Sequence, residues 1–404
     1  MDRRKFLATT AGLLGVGLAG CTGSGDQATD VPDTDAPTET LTEASEAPTD
    51  ANGTPTATGS ATSTPSGDDS GGETPYSVSM EPVGEVTFEE APETWVANNG
   101  SWADMGVALG LEPPEGVWLP SRYHTQYYDE IPGVSVDESG MVQLWGDSGV
   151  GKEQFYEFEA DVHVIDPNFL INRSKGWEQS DIDEISEDVA PFFGNSIFSG
   201  GYDWHDDYQY YSLYEAFEKL ALAFRRTERY AAFESLHEEF QSNVSDVVPP
   251  EGERASVAIF WAGGNEPEEF SPYLVHEGTS FKQWRDLEVR DALANTDVKD
   301  FHSSRARVGF ETLLEIDPDN ILFRGHEAQT REAFRNTVVA YMEDHDLASG
   351  LTAVQNGDVY RGGPLYQGPI TNLVVTERAA AQVYGVEEEL FDRERVAAIV
   401  EGEI

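Results

Sequence analysis

The chain has 404 residues, 75 of them acidic against 25 basic, for a formal net charge of −50. Acidity on this scale, spread along the whole chain, argues against a nucleic-acid partner, which needs a basic surface, and fits a halophilic protein kept soluble where salt screens self-repulsion within a few ångströms. The single cysteine excludes an internal disulfide and a zinc–thiolate centre, and an aromatic content of 11% with long apolar segments argues against a wholly disordered chain.

The N-terminus reads as an export signal. Asp2-Arg3-Arg4-Lys5-Phe6-Leu7 is a twin-arginine (Tat) start. The apolar run 7–19 after it is too short to cross a bilayer, which takes ~20 apolar residues. The run ends in Leu18-Ala19-Gly20-Cys21, which resembles the lipobox of bacterial and archaeal lipoproteins. Residues 1–21 are therefore expected to be a lipoprotein signal, with Cys21 the lipidation site and membrane anchor. Residues 22–75 are mostly Thr, Ser, Asp, Gly, Pro, Ala and Glu. With almost nothing to bury they cannot offset their ordering entropy, so a disordered tether at the cell surface is expected. Asn52, Asn99, Asn172 and Asn243 match the short glycosylation sequon.

Beyond the tether, strand and helix patterns alternate. Residues 94–97 read as a short buried strand, 98–101 as a turn with Ser101 as helix cap, 102–109 as a helix and Gly110 as its stop. A strand at 117–119, a helix at 152–159 and a strand at 162–165 follow. From 210 to 244, apolar residues such as Leu213, Phe217, Leu220, Phe233, Leu236 and Phe240 recur at helical spacing with no proline or glycine among them. That predicts one long helix, or two joined in line. Strands at 255–261, 321–323 and 359–360 and helices at 333–345 and 372–384 complete the pattern. Such alternation predicts an α/β fold with parallel sheets covered by helices. The roughly 330 residues after the tether suffice for two domains. The expected division is a first lobe at 76–209, an interlobe helix at 210–244 and a second lobe at 245–404.

One element occurs twice. Gly151-Lys152-Glu153 opens a helix that leads to Asp161 and then a strand; Gly309-Phe310-Glu311 opens another that leads to Asp319 and then a strand. In both, the Asp stands eight residues beyond the Glu. A glutamate in the first helical turn suits the positive end of the helix dipole, so each lobe is expected to present one acidic helix N-terminus.

This pattern resembles the class III periplasmic binding proteins, the solute-binding components of ABC importers for iron–siderophores, haem and cobalamin. Ala91-Pro92, Ala108-Leu109-Gly110-Leu111, the segment from Leu351 to Tyr360, and Gly368-Pro369 followed by Asn372-Leu373 match further parts of the family pattern. Glu159-Ala160-Asp161 departs from it where Pro-Asp is usual, and residues 168–210 are longer and more aromatic. The resemblance implies two Rossmann-like α/β lobes bridged by one long helix, with cargo held between them. It further implies that Glu153 and Glu311 dock on arginines of a membrane permease served by an ATPase. A monomer with a ferric siderophore as cargo is expected, and no cofactor of its own. Cobalamin or haem is the alternative.

Loops at strand C-terminal ends are where such a fold holds a ligand. They supply Asn99, Trp102, His124, Trp145, Tyr202 and Trp204 from the first lobe, and Trp261, Arg305, Arg307 and Tyr366 from the second. Two arginines so close together in so acidic a chain suit the carboxylate, hydroxamate or catecholate oxygens of an anionic chelate. The eight histidines show no metal-ligand spacing. A cell-surface enzyme is the rival reading, but the chain has no Gly-x-Ser-x-Gly elbow, no His-Glu-x-x-His and no phosphate-binding glycine loop. A blue-copper carrier would need a cysteine in the folded part.

Overall fold

The computed structural model describes residues 74–404 except 148, 201, 203 and 206. The export signal, Cys21 and all but the last two residues of the tether lie outside the described residues.

An antiparallel hairpin that the sequence reading missed comes first, β1 (Tyr76–Met80) with β2 (Gly84–Phe88). Its period-two alternation turns Val78, Met80, Val86 and Phe88 inward and leaves Ser77, Ser79, Glu85 and Thr87 outside.

The first lobe follows. β3 (Trp95–Ala97) leads into α1 (Gly100–Ala108), then β4 (Gly116–Val117) and β5 (Val142–Gln143). A small ribbon, β6 (Trp145–Gly146) with β7 (Gly149–Val150), precedes α2 (Glu153–Glu157) and β8 (Val162–Val164). α3 (Pro167–Arg173) and α4 (Gln179–Asp188) close the lobe. The sheet runs β5-β4-β3-β8 and is parallel throughout, with Trp95 opposite Val162 and Ala97 opposite Val164. β3 and β8 are buried at every position, as strands covered on both faces must be. The helix cap is Asn99, not Ser101. The Asn99 side chain accepts the Ser101 N–H at 2.9 Å.

The long interlobe helix is present but begins later than predicted. Residues 213–223 form a separate helix, α5 (Leu213–Ala223), and the 21-residue α6 (Thr227–Val247) carries the chain to the second lobe. The two are antiparallel, not in line: Tyr214 stacks on His237 at 3.9 Å and Phe217 meets Phe233 at 6.0 Å. The break is at Arg225, which takes a left-handed φ of 52°. Its guanidinium lies 4.1 Å from the Tyr76 ring and donates to the Thr74 carbonyl at 3.0 Å. Distant partners on the hairpin thus hold a turn that no glycine or proline announces.

In the second lobe come β9 (Ser256–Trp261), β10 (Ser271–Tyr273), α7 (Lys282–Asp286), β11 (Arg290–Asp291), α8 (Phe301–Ser304), α9 (Phe310–Ile316) and β12 (Asn320–Arg324). The helix expected at 333–345 is α10 (Arg331–Phe334) continued through a π turn into α11 (Ala340–Asp344). α12 (Thr352–Asn356), β13 (Val359–Arg361), α13 (Pro369–Tyr384) and α14 (Arg393–Glu401) end the chain. The sheet order is β10-β9-β12-β13, with β11 also on β9 and only β10 antiparallel.

α13 ties the lobes together, packing on α1 of the first and α7 of the second. Its first turn is capped from the first lobe, since Asp104 Oδ2 accepts the Ile370 and Thr371 N–H groups at 3.0 and 3.1 Å. A second tie is the buried Glu327. It accepts from Tyr127 and pairs with Arg378 at 2.9 Å, and its carbonyl accepts from Gln126 at 3.0 Å. Burial works to raise the Glu327 carboxyl, but Arg378 and Arg361 hold its pKa at about 2.

Candidate functional site

Where the two lobes face each other, strand ends and the loops after them converge on a cluster of rings and guanidinium groups. Phe198 meets Tyr366 edge-on at 5.4 Å, and Tyr202 lies 5.4 Å from His302. Arg122 sits 5.0 Å above the Trp261 ring, and its charge acts on the Tyr366 phenol. Ser199 Oγ lies 3.2 Å from His302 Nδ1. Each of these contacts crosses from one lobe to the other.

The charges here are unusual for the chain. Arg122, Arg173 and Arg305 have no carboxylate at ion-pair distance among the described residues, although acids outnumber bases three to one. The three are partly or fully exposed. Burial pushes the Tyr202 phenol up, and the nearby charges of Arg173 and Arg305 pull against it. Burial pushes Tyr366 up as well, with Arg122 and Arg173 opposing. His302 is held neutral, its pKa near 3, first by burial and then by His276 and the surrounding arginines. The junction is therefore cationic, rich in phenols and flanked by aromatic faces. It suits an anionic, oxygen-rich, partly aromatic ligand.

The predicted site residues divide. Tyr202, Trp261, Arg305 and Tyr366 meet at this junction, and Trp204 stacks on Tyr202 at 4.4 Å. Trp145 stacks on Trp118 at 5.0 Å at the edge of the first lobe. His124 lies apart, near Glu327 and Arg378; burial is the main cause of its lowered pKa. Three expectations are corrected. Asn99 is 1% exposed and spends its side chain capping α1, so it neither faces cargo nor accepts a glycan. Trp102 is fully enclosed in the core. Arg307 is exposed and pairs with Glu269 at 3.2 Å on the surface.

Sequence reasoning missed Arg122 and Arg173. They stand 51 positions apart, on a 3₁₀ turn and at the end of α3; Arg122 has no basic neighbour in sequence, and Arg173 has Lys175 two positions on, a pair that was passed over. The available signal was scarcity, because only 25 bases exist to be explained.

The family model for the periplasmic binding protein matches residues 164–365, half of the chain. The chain belongs to the periplasmic binding protein family. Among solved structures, it is similar to a periplasmic binding protein from Veillonella parvula, at 14% identity and TM-score 0.53, covering 79% of this chain and 100% of that one. The iron-uptake ABC transporter substrate-binding protein PiuA from Streptococcus pneumoniae matches at 15% and 0.52, covering 75% and 98%. The triscatecholate siderophore binding protein FeuA from Bacillus subtilis matches at 15% and 0.50, covering 76% and 98%. No curated protein matches the chain.

In this periplasmic binding protein, Glu153 and Glu311 are both exposed in the first turn of a helix, α2 in one lobe and α9 in the other. Each carboxylate folds back over the glycine two residues earlier. A Cβ at Gly151 would stand 3.5 Å from Glu153 Oε2, and one at Gly309 3.2 Å from Glu311 Oε2. The described residues hold no group of three or more His, Cys, Asp or Glu side chains placed for a metal, and none of their helices is long and apolar enough to cross a membrane.

Proposed function

We propose that this binding protein captures an anionic ferric siderophore between its lobes and delivers it to the permease of an ABC importer. The observation that carries the reading is the junction itself: Arg122, Arg173 and Arg305, with no carboxylate at ion-pair distance among the described residues, set among Tyr202, Trp261 and Tyr366. Guanidinium groups pair with hydroxamate, catecholate and carboxylate oxygens, and aromatic faces hold the ligand's apolar shell. The iron arrives inside its chelator, so the protein need supply no metal ligands. Glu153 and Glu311 then seat the loaded protein on basic residues of the permease, whose ATPase drives release. Cys21 carries the lipid that keeps the protein at the outer face of the membrane, on the tether of residues 22–75.

The test is a tryptophan-fluorescence titration of the purified protein in molar salt, checked by co-elution. The panel is a ferric hydroxamate, a ferric catecholate, haem, cobalamin and free Fe³⁺. Saturable binding of a ferric siderophore is the expected result. Binding of haem or cobalamin alone would replace the cargo and keep the transport role; no binding by any would overturn the proposal.

A further inference from the structure

Arg324 ends β12 and is completely enclosed. The rings of Phe281 and Tyr273 lie 4.1 and 5.4 Å from its guanidinium carbon. Nη2 donates to the Ser280 carbonyl, whereas Nε and Nη1 have no acceptor. Among the described residues no carboxylate comes within ion-pair distance of it. Burial draws its pKa down to about 10, so the group is still a cation at neutral pH.

Its neighbours are donors too. The Gly278 N–H donates to His276 Nδ1 at 3.0 Å, which leaves the ring proton on Nε2. That N–H finds no acceptor, and burial keeps the ring neutral, with a pKa near 3. The hydroxyls of Thr279 and Ser280, 1% and 0% exposed, are likewise unpaired. The His276 ring packs 4.4 Å from that of Phe281, the ring that also carries Arg324.

Asp300 and Glu327 act on Arg324 only from beyond ion-pair distance. An enclosed cation with no counter-charge in contact costs several kcal/mol, and each enclosed donor without an acceptor costs roughly 1–3 kcal/mol. Water accepts hydrogen bonds but does not neutralise the charge. An anion does both. We propose that Arg324, His276, Thr279 and Ser280 form an enclosed site for a small inorganic anion of halide size. Thr279 and Ser280 open one 3₁₀ turn, His276 stands just before it, and Arg324 ends the strand tied to that turn through the Ser280 carbonyl and the Phe281 ring; a monatomic halide is the smallest anion that answers such donors. This site adjoins the junction: Arg324 acts on His302 and Tyr273, which also feel Arg305.

Two measurements test it. In crystals of the protein grown with sodium bromide, an anomalous peak is expected at hydrogen-bond distance from Arg324 Nε or Nη1; a water or no density there would overturn the site. In solution, thermal unfolding is followed while sodium chloride or bromide replaces sodium gluconate at constant ionic strength. A saturable rise of several degrees is expected for the native protein and its loss in Arg324→Met. Ser280→Ala keeps the charge and should show the rise at a higher halide midpoint, which supplies the answer if Arg324→Met fails to fold. An unchanged halide response in either variant would overturn the proposal.

Discussion

Asp161 and Asp319 each accept a backbone N–H from the start of the strand that lies beside their own. Asp161, before β8, takes the Glu93 and Thr94 N–H groups at 2.9 Å and the Thr94 hydroxyl at 3.0 Å, just ahead of β3. Asp319, before β12, takes the Ser256 N–H at 3.2 Å, at the start of β9. β8 pairs with β3 and β12 with β9, so the two aspartates fix the same corner in each lobe. The repeat seen as letters at fixed spacing is a repeat of strand anchoring.

Asp161→Ala should lower stability by about 1 kcal/mol at pH 7, in the range of a lost capping acceptor. Burial acts to raise the Asp161 carboxyl, but the donors on Thr94 and Glu93 outweigh it and hold the pKa below the usual value. A depressed folded pKa means stability present above the unfolded pKa and lost as pH falls through the folded one. Denaturant unfolding should therefore show the gap between native and variant at pH 7 narrowing toward pH 2. A gap that stays constant would show that the carboxylate charge is not what anchors the strand.

Reversing Glu153 and Glu311 together, both to Lys, should abolish cargo uptake in cells while leaving cargo affinity in vitro within about twofold. Both groups are exposed and stand at helix N-termini, where a lysine also meets the wrong end of the dipole, a cost of roughly 0.3–1 kcal/mol each. A thermal melt separates that small loss from docking. Loss of cargo binding instead would put these residues in the ligand site.

What the sequence disclosed was local or periodic. The buried strand at 95–97, the apolar run that became β9 and the spaced Gly-x-Glu elements are patterns within a dozen residues. What it hid depends on chain segments meeting. Arg225 breaks the helix because Tyr76 and Thr74, about 150 positions away, hold its side chain. Asp104 and Glu327 are single acids among 75, marked only by the burial the fold imposes. Arg305 and Arg307 are neighbours in sequence with opposite surroundings, a difference that residue spacing does not carry.

That last pair gives a controlled comparison. Arg305→Ala should weaken an anionic cargo by about tenfold or more, since one charge-assisted hydrogen bond contributes roughly 1.5–3 kcal/mol. Arg307→Ala should change it less than twofold, because Arg307 is occupied with Glu269 at the surface. Neutral cargo should respond weakly to both. Equal losses for the two variants, read by the same fluorescence titration, would remove Arg305 from the site.

Asp104 should govern a pH response centred on the joint between the lobes. It is enclosed, donates nothing, and accepts from Tyr128 at 2.6 Å and from the first turn of α13. Gly368 is required beside it, since a Cβ there would stand 2.4 Å from Asp104 Oδ2. The side chains facing the carboxylate, Tyr123, Tyr128 and Tyr214, are uncharged phenols pushed up by burial. Burial lifts Asp104 from 3.8 to about 6 despite its donors. A raised folded pKa means that the native state binds more protons than the unfolded chain between about pH 4 and 6. The Asp104 contribution is thus fully present below pH 3.8 and is lost as pH rises through 6, by an amount on the order of 3 kcal/mol. Asp104→Asn, which keeps an acceptor for α13 but cannot titrate, should flatten the stability profile across that window relative to the native protein. Asp104→Ala leaves the Ile370 and Thr371 N–H groups without an acceptor and cannot titrate either, so it should cost roughly 2–4 kcal/mol at pH 7 and more as pH falls toward 4. Hydrogen exchange should then speed up in the first turn of α13 before it does in either sheet, because that turn is where the first lobe grips the second. Uniform acceleration across both sheets would mean that Asp104 supports the core at large and that α13 is held by its apolar face alone.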